Sequence, residues 1–224
     1  MNDMSWSALR TDRTLAFRTN QLSGSAQRLL VLLHGVGGNE TNLAPFAETM
    51  PADTRVVLVR APLTLGAGQH AWFQVSFGPQ GPRPDLTAAE SSRQQLVRFI
   101  AELQAEYAAS PARTVVAGFS QGGIMSASLG LTRPGLVAGF GVLAGRILPE
   151  LEPQLAKPAA LAGIRAFIGP GRDDTKLPVA WAHRSDGWLT SLGVPHETRL
   201  YPGDHGIPQA MQMDFASWLV GLAR

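Results

Sequence analysis

The sequence predicts a doubly wound α/β fold on a mostly parallel sheet, and three features of its 224 residues predict it. Short runs rich in Val, Leu and Ile end in Gly or Pro; amphipathic helical patterns separate them; and a glycine-rich turn joins one run directly to a helix. The runs are LLVLLHG (29–35), RVVLVRAP (55–62), TVVAGFS (114–120), AGFGVLAG (138–145) and IRAFIGPG (164–171), followed by the more polar ETRLYPG (197–203). Apolar runs without alternation mark strands covered by helices on both faces. Strand, helix and strand in repetition imply parallel pairing through right-handed crossovers.

Taken in order, an antiparallel strand is expected near residues 15–20, followed by the apolar runs. Between Thr87 and Ala109, Leu96, Ile100, Leu103 and Tyr107 recur at helical spacing, and Thr87 with Glu90 suggests a capping box. A helix from Gln121 to about Thr132 follows the third run. Ile207, Met211, Phe215, Trp218 and Leu222 form a second amphipathic stripe near the carboxyl end. The segment from Leu63 to Asp85 is Gly/Pro-rich and lacks helical period, so it reads as a long excursion, with His70, Trp72, Phe73 and Phe77 favouring order over disorder. The length suits one domain spanning 1–224, and 45% hydrophobic residues are enough for a continuous core.

Composition removes several function classes. The absence of cysteine excludes disulfides, thiolate metal sites and a cysteine nucleophile, which leaves oxygen or lysine for covalent chemistry. Basic and acidic residues, 19 and 17, are scattered, with no Lys/Arg block to follow a nucleic-acid backbone. The small arginine excess mildly favours anionic substrates and carries little weight alone. No apolar stretch reaches membrane-span length, and the amino-terminal residues lack a run of signal-peptide length, so a cytoplasmic location is expected.

Functional loops in a doubly wound sheet leave the carboxyl ends of the strands. Gly118-Phe119-Ser120-Gln121-Gly122 stands at such an end and opens a helix. With 24 glycines a chance Gly-x-Ser-x-Gly match is easy, so its placement carries the weight. A serine on so sharp a turn needs small neighbours, and the helix amino terminus adds partial positive charge where an oxyanion would develop. Ser120 is therefore the candidate nucleophile. His34-Gly35-Val36-Gly37-Gly38 follows the first run, and the N–H groups of Val36 and Gln121 form the natural oxyanion pair. No Lys-Ser/Thr follows that glycine turn, which argues against a phosphate cradle.

Among the remaining histidines, His196 stands at the amino end of a strand, His183 falls in a helix and His70 in the aromatic excursion. His205 follows the last strand between Gly203 and Gly206, and is the candidate base. Asp173 and Asp174, after the IRAFIGPG strand, both qualify as the orienting acid.

The segments LLHGVGGN, RAP, HAWFQ, GFSQGG, GRDDTKLP and YPGDHGI together resemble the phospholipase/carboxylesterase family of α/β-hydrolases, which includes acyl-protein thioesterases and small bacterial carboxylesterases. The resemblance runs from about Leu29 onward. It implies an α/β-hydrolase fold, a triad of Ser120, His205 and Asp174, and an oxyanion hole at Val36 and Gln121. The family's Gly-x-x-Asp and Asp-x-x-x-Pro spacings, from Gly171 and to Pro178, select Asp174 over Asp173. Trp72 and Phe73 match its aromatic pair, a candidate lining for the acyl pocket. Pro170 and Asp204 depart from the family pattern, and Asp204, adjacent to His205, would favour the imidazolium. The implied activity is hydrolysis of carboxylic esters or thioesters through an acyl-enzyme, with no metal or cofactor. A dienelactone-type hydrolase of cyclic esters, lacking that group's usual cysteine, and a non-catalytic binding module on the same scaffold are the alternatives. A homodimer is compatible with the sequence, which carries no interface signature.

Overall fold

Alternation along the apolar strands buries both faces of one sheet. The computed structural model describes residues 4–78 and 81–222. Its main sheet has seven strands: β1 (Phe17–Thr19), β2 (Arg28–Leu33), β3 (Thr54–Val59), β8 (Thr114–Phe119), β9 (Gly139–Leu143), β10 (Arg165–Gly169) and β11 (His196–Thr198). They lie in the order β1-β3-β2-β8-β9-β10-β11, with β1 antiparallel to β3 and every other pairing parallel. Strand β8, which leads to Ser120, is central.

The helices are α1 (Ala44–Ala47), α2 (Leu86–Glu106), α3 (Gln121–Thr132), α4 (Pro158–Leu161), α5 (Ala180–Ser191) and α6 (Gln209–Gly221). Leu29, Val31 and Leu33 of β2 join Val57 and Val59 of β3 in a core with Leu96, Phe99 and Leu103 of α2, residues of α3, and Leu189 of α5. Leu30 and Leu32, with Val56 and Leu58, face the opposite layer, where Phe46 of α1 meets Met211, Phe215 and Trp218 of α6. The period of two along each strand thus supplies two cores. Among the described residues, no helix is long and apolar enough to cross a membrane.

Helix α3 is buried from Gln121 through Leu131 because small residues let it lie close to the sheet. A Cβ on Gly130 would come within 2.3 Å of the Phe140 ring. Helix α2 ends where Ala108 turns left-handed, at φ 49°.

Three local expectations need correction. The α2 cap is Asp85, whose side chain accepts from the Ala88 N–H at 3.0 Å, while Glu90 pairs with Arg93 rather than closing a box with Thr87. The excursion at 63–85 contains two hairpins, β4 (Leu63–Gly66) with β5 (Gln69–Ala71) and β6 (Val75–Gly78) with β7 (Gly81–Pro84). Residues 79–80 of that excursion, and the Phe77 side chain, lie outside the described residues. Only Glu197 and Thr198 of the ETRLYPG run are strand, in β11 with His196, after which pairing continues through an isolated bridge between Gly171 and Tyr201.

Phe215 touches both the sheet and α1: its ring lies 5.3 Å from Phe46, 5.6 Å from Phe167 and 5.3 Å from Trp218, centroid to centroid. Phe215→Ala is expected to destabilise the fold by about 3–5 kcal/mol, the cost of a large buried cavity. Urea unfolding followed by tryptophan fluorescence measures it, and a loss below about 1 kcal/mol would mean that the α6 layer collapses to fill the space.

Candidate active site

The site is built where α3 begins on the end of β2. A Cβ on Gly122 would stand 2.0 Å from the Leu33 carbonyl oxygen, and one on Gly118 would stand 2.2 Å from the Gly122 carbonyl carbon. Only glycine permits either approach. Between them Ser120 adopts φ 54°, ψ −115°, a left-handed conformation that costs an L residue strain and that its surroundings must hold in place. Its N–H is tied to the Leu143 carbonyl at 2.9 Å.

His205 meets this serine from the far side of the sheet order. Its Nε2 lies 2.9 Å from Ser120 Oγ and its Nδ1 lies 2.7 Å from Asp174 Oδ2. A carboxylate oxygen can only accept, so Nδ1–H donates to Asp174 and Nε2 is free to accept from the serine hydroxyl. Phe119 packs on the imidazole with centroids 4.8 Å apart. Asp174 is almost fully buried, and its second oxygen accepts from the N–H groups of Lys176 at 2.8 Å and Leu177 at 2.7 Å.

The neighbouring acids do other work. Asp173 Oδ2 accepts from the Gly203 N–H at 3.4 Å, and Asp204 Oδ1 accepts from the Thr175 N–H at 2.8 Å. The bond from Thr175 also holds the exposed Asp204 carboxyl below its ordinary pKa. The Asp204 carboxylate makes its side-chain hydrogen bonds with Thr175 and meets the His205 ring through charge rather than through a hydrogen bond to the imidazole. Of the other histidines, His183 is exposed and His196 bonds Asp186 at 3.2 Å, both away from Ser120.

The glycine turn after β2 is secured by its own polar groups. His34 is buried; Nδ1–H donates to the Gly35 carbonyl at 2.7 Å and Nε2 accepts from the Ala61 N–H at 3.1 Å. Burial lowers its pKa to about 4, so the ring is neutral at pH 7. Burial also works against charge on Glu40, but hydrogen bonds from Arg60, its own backbone amide and Arg18 prevail and hold it at about 2. Among the described residues, neither the Val36 nor the Gln121 N–H has a protein acceptor. Both flank Ser120 and are open to a bound oxygen.

A cavity of about 390 Å³ opens beside Ser120, with Phe73, Val75, Ile124 and Leu177 forming apolar walls and Arg146 and Lys176 adding charge. Of the aromatic pair singled out by the sequence, Phe73 lines this cavity. Trp72 does not: it is wholly buried beneath, its indole N–H donating to the His34 carbonyl at 2.9 Å. The Gln121 side chain clamps the segment, accepting from the Trp72 N–H at 2.8 Å and donating to the Phe73 carbonyl at 2.7 Å. That side-chain role, and Arg146, escaped the sequence reading, because both depend on loops distant in sequence. Among the described residues, no group of three His, Cys, Asp or Glu is arranged to hold a metal ion.

A central elbow serine with histidine and aspartate arriving from later strand ends is the layout of the α/β-hydrolase fold, and comparison with known proteins agrees. The profile of the Phospholipase/Carboxylesterase family matches residues 16–221, and the chain belongs to this family of hydrolases. Acyl-protein thioesterase 1 of Kluyveromyces lactis is 28% identical over 210 residues, covering 83% of this chain and 91% of that one. The crystal structure of esterase PE8 superposes with a TM-score of 0.78 at 27% identity, covering 90% of this chain and 95% of that one. A carboxylesterase from Mesorhizobium loti, at 24% identity, shares the fold with a TM-score of 0.83 over 96% of this chain and 98% of its own.

The buried neutral His34 makes stability depend on pH. In the unfolded chain the ring takes up a proton near 6.5, whereas in the folded chain it does so only near 4. The unfolded state therefore binds more protons in this window, and stability falls as pH drops from about 6.5 to 4. His70, whose pKa is lowered by burial and by Arg60, acts in the same sense. Replacing His34 with Gln, which does not titrate, is expected to reduce the slope of Tm against pH over this window. An unchanged slope in thermal melts would remove His34 as its source.

Proposed function

We propose that the protein hydrolyses carboxylic esters or thioesters through an acyl-enzyme on Ser120, with His205 as general base and acid and Asp174 as the residue that orients the imidazole. The observation that carries this reading is the hydrogen-bonded line Ser120 Oγ, His205 Nε2, His205 Nδ1 and Asp174 Oδ2, with spans of 2.9 and 2.7 Å. The names of the thioesterase and esterase relatives point the same way.

In the first step Ser120 Oγ attacks the carbonyl carbon as its proton passes to His205 Nε2. The carbonyl oxygen becomes an oxyanion between the Val36 and Gln121 N–H groups, where fixed donors stabilise charge without reorganising. Collapse breaks the bond to the leaving alcohol or thiol, which takes the proton from His205. Water then attacks the acyl-enzyme, giving its proton to Nε2, and the second collapse releases the acid and restores the serine hydroxyl. Asp174 stabilises the imidazolium formed in both halves. Phe73 borders the substrate, and Trp72 supports it from below.

Ser120→Ala is expected to lower kcat on an activated aryl ester by about 10⁴- to 10⁶-fold and to abolish labelling by a fluorophosphonate. More than a tenth of wild-type activity in a variant with an unchanged circular dichroism spectrum would remove Ser120 from the mechanism.

Substitution also separates the three clustered acids. Asp174→Asn is expected to lower kcat by up to about 10⁴-fold, since an amide can hold the ring in the wrong tautomer and cannot stabilise the imidazolium. Asp173→Asn and Asp204→Asn weaken hydrogen bonds between the two loops but leave the bond from His205 Nδ1 to Asp174 intact, and should cost far less. Greater damage from either of these, measured on the same ester, would reassign the acid.

A further inference from the structure

The acyl-transfer chemistry leaves two charged side chains of the Ser120 cavity without a task, the exposed Lys176 and the half-buried Arg146. Arg146 lies just beyond β9 and lines the Phe73 cavity. Its backbone is pinned on both sides: the Ala144 N–H donates to the Gly169 carbonyl at 2.7 Å, and the Ile147 N–H donates to Ser185 Oγ at 3.2 Å. Ala144 holds a left-handed φ of 45°, so strain at this turn adjoins the strain at Ser120. The guanidinium lies over the Trp181 ring, its carbon 4.3 Å from the centroid, and Arg184 lies 4.9 Å from the same ring.

The stacked guanidinium is held but not neutralised. Its Nε is buried with no hydrogen-bond partner, and Arg146 forms no ion pair among the described residues. Burial lowers its pKa, and the field of Glu150 opposes that effect. A guanidinium without an ion pair at the wall of a largely apolar cavity is costly unless a ligand supplies its counter-charge; Nε itself is closed to solvent, so that ligand would meet the terminal N–H groups. The complement of a planar guanidinium is a carboxylate, which can take two parallel hydrogen bonds. Lys176, exposed and lining the same cavity, adds a second positive charge and no competing acid.

Resting on the acyl-transfer reading, we propose that Arg146 is the specificity-determining residue of this cavity and binds a free carboxylate on the portion of the substrate seated there. The preferred substrates are then esters or thioesters that carry a second, ionised carboxyl group, such as the half-esters of short dicarboxylic acids.

Three aryl esters test this with wild type, Arg146→Gln and Arg146→Lys: a neutral pentanoate, a hydrogen glutarate bearing the carboxylate on the acyl side, and a pentanoate bearing it on the aryl ring. Comparing wild type with variant on each ester removes differences in intrinsic reactivity. Arg146→Gln is expected to lower kcat/KM for one carboxylate-bearing ester by about 10- to 100-fold more than for the neutral one, with partial recovery in Arg146→Lys. Equal losses on all three esters would reduce Arg146 to a packing residue and overturn the proposal, as would no change in preference. If Arg146→Gln does not fold, Arg146→Met, which keeps an apolar stem without the charge, carries the same comparison.

Calorimetry separates this proposal from the reading it rests on. Wild-type protein should bind N-methylglutaramate more tightly than N-methylpentanamide, and the difference should vanish in Arg146→Gln. That result without hydrolysis of any ester would reject the esterase reading and keep the anion site. Hydrolysis without charge discrimination in either assay would keep the esterase and reject the anion site.

Discussion

The structure turns on the near contact between the first turn of α3 and the end of β2. With the Gly122 Cα lying so close to the Leu33 carbonyl that no Cβ could be inserted, the helix axis is drawn against the sheet and the chain at residue 120 has no relaxed route between strand and helix. The left-handed φ of Ser120 is the consequence. Strain placed there lifts the hydroxyl off the sheet edge and points the Gln121 N–H to the same side. The energy comes from the burial of α3, whose small residues permit contact with β8 and β9 along its whole length.

Two loops at the carboxyl edge are held together by reciprocal tethers. The Asp173 carboxylate accepts from the Gly203 amide while the Asp204 carboxylate accepts from the Thr175 amide, so each loop donates backbone to the other's acid. The Arg172 N–H to the Tyr201 carbonyl, at 2.8 Å, extends the lacing toward the sheet. Gly171 belongs to the same contact, since a Cβ there would meet the Asp204 carbonyl oxygen at 2.5 Å. Asp174 and His205 lie between these tethers, and their separation is set by backbone geometry rather than by flexible side chains. The unusual acid beside the histidine is in this light a structural residue of the loop pair.

Much of this could be read from the chain because its causes are local. Strand β8 and helix α3 follow from an apolar run and from glycines that only a tight turn requires, and β1 lies within the antiparallel strand expected near residues 15–20. His205 stood out among five histidines by its position at a strand's carboxyl end. Choosing Asp174 over Asp173 needed the family spacing, because adjacent residues in one loop differ only in direction. The hairpins of 63–85 were illegible for the opposite reason: β7 is GPRP, rich in residues that weaken strands, β4 is only the four residues LTLG, and both pair locally beside the main sheet. The Asp85 cap prevailed over Thr87 because the helix starts one residue before the threonine. Side-chain roles at Gln121 and Arg146 depend on contacts with residues 72–73 and 181, which no window of sequence contains.

Satisfaction of polar groups around the serine divides into two sets. His34, Glu40, Asp174 and the Gln121 side chain are buried and bonded to partners within the protein, which makes the walls of the site rigid. The Val36 and Gln121 N–H groups and the Arg146 Nε lack partners among the described residues, and all three belong to residues that line the cavity holding Ser120. Donors left unpaired here place part of the fold's electrostatic cost where an anionic oxygen can recover it. The two backbone donors suit charge that appears only while a carbonyl is being attacked. The guanidinium suits charge already present in the ground state. The first kind of interaction accelerates the chemical step, and the second selects which molecule undergoes it.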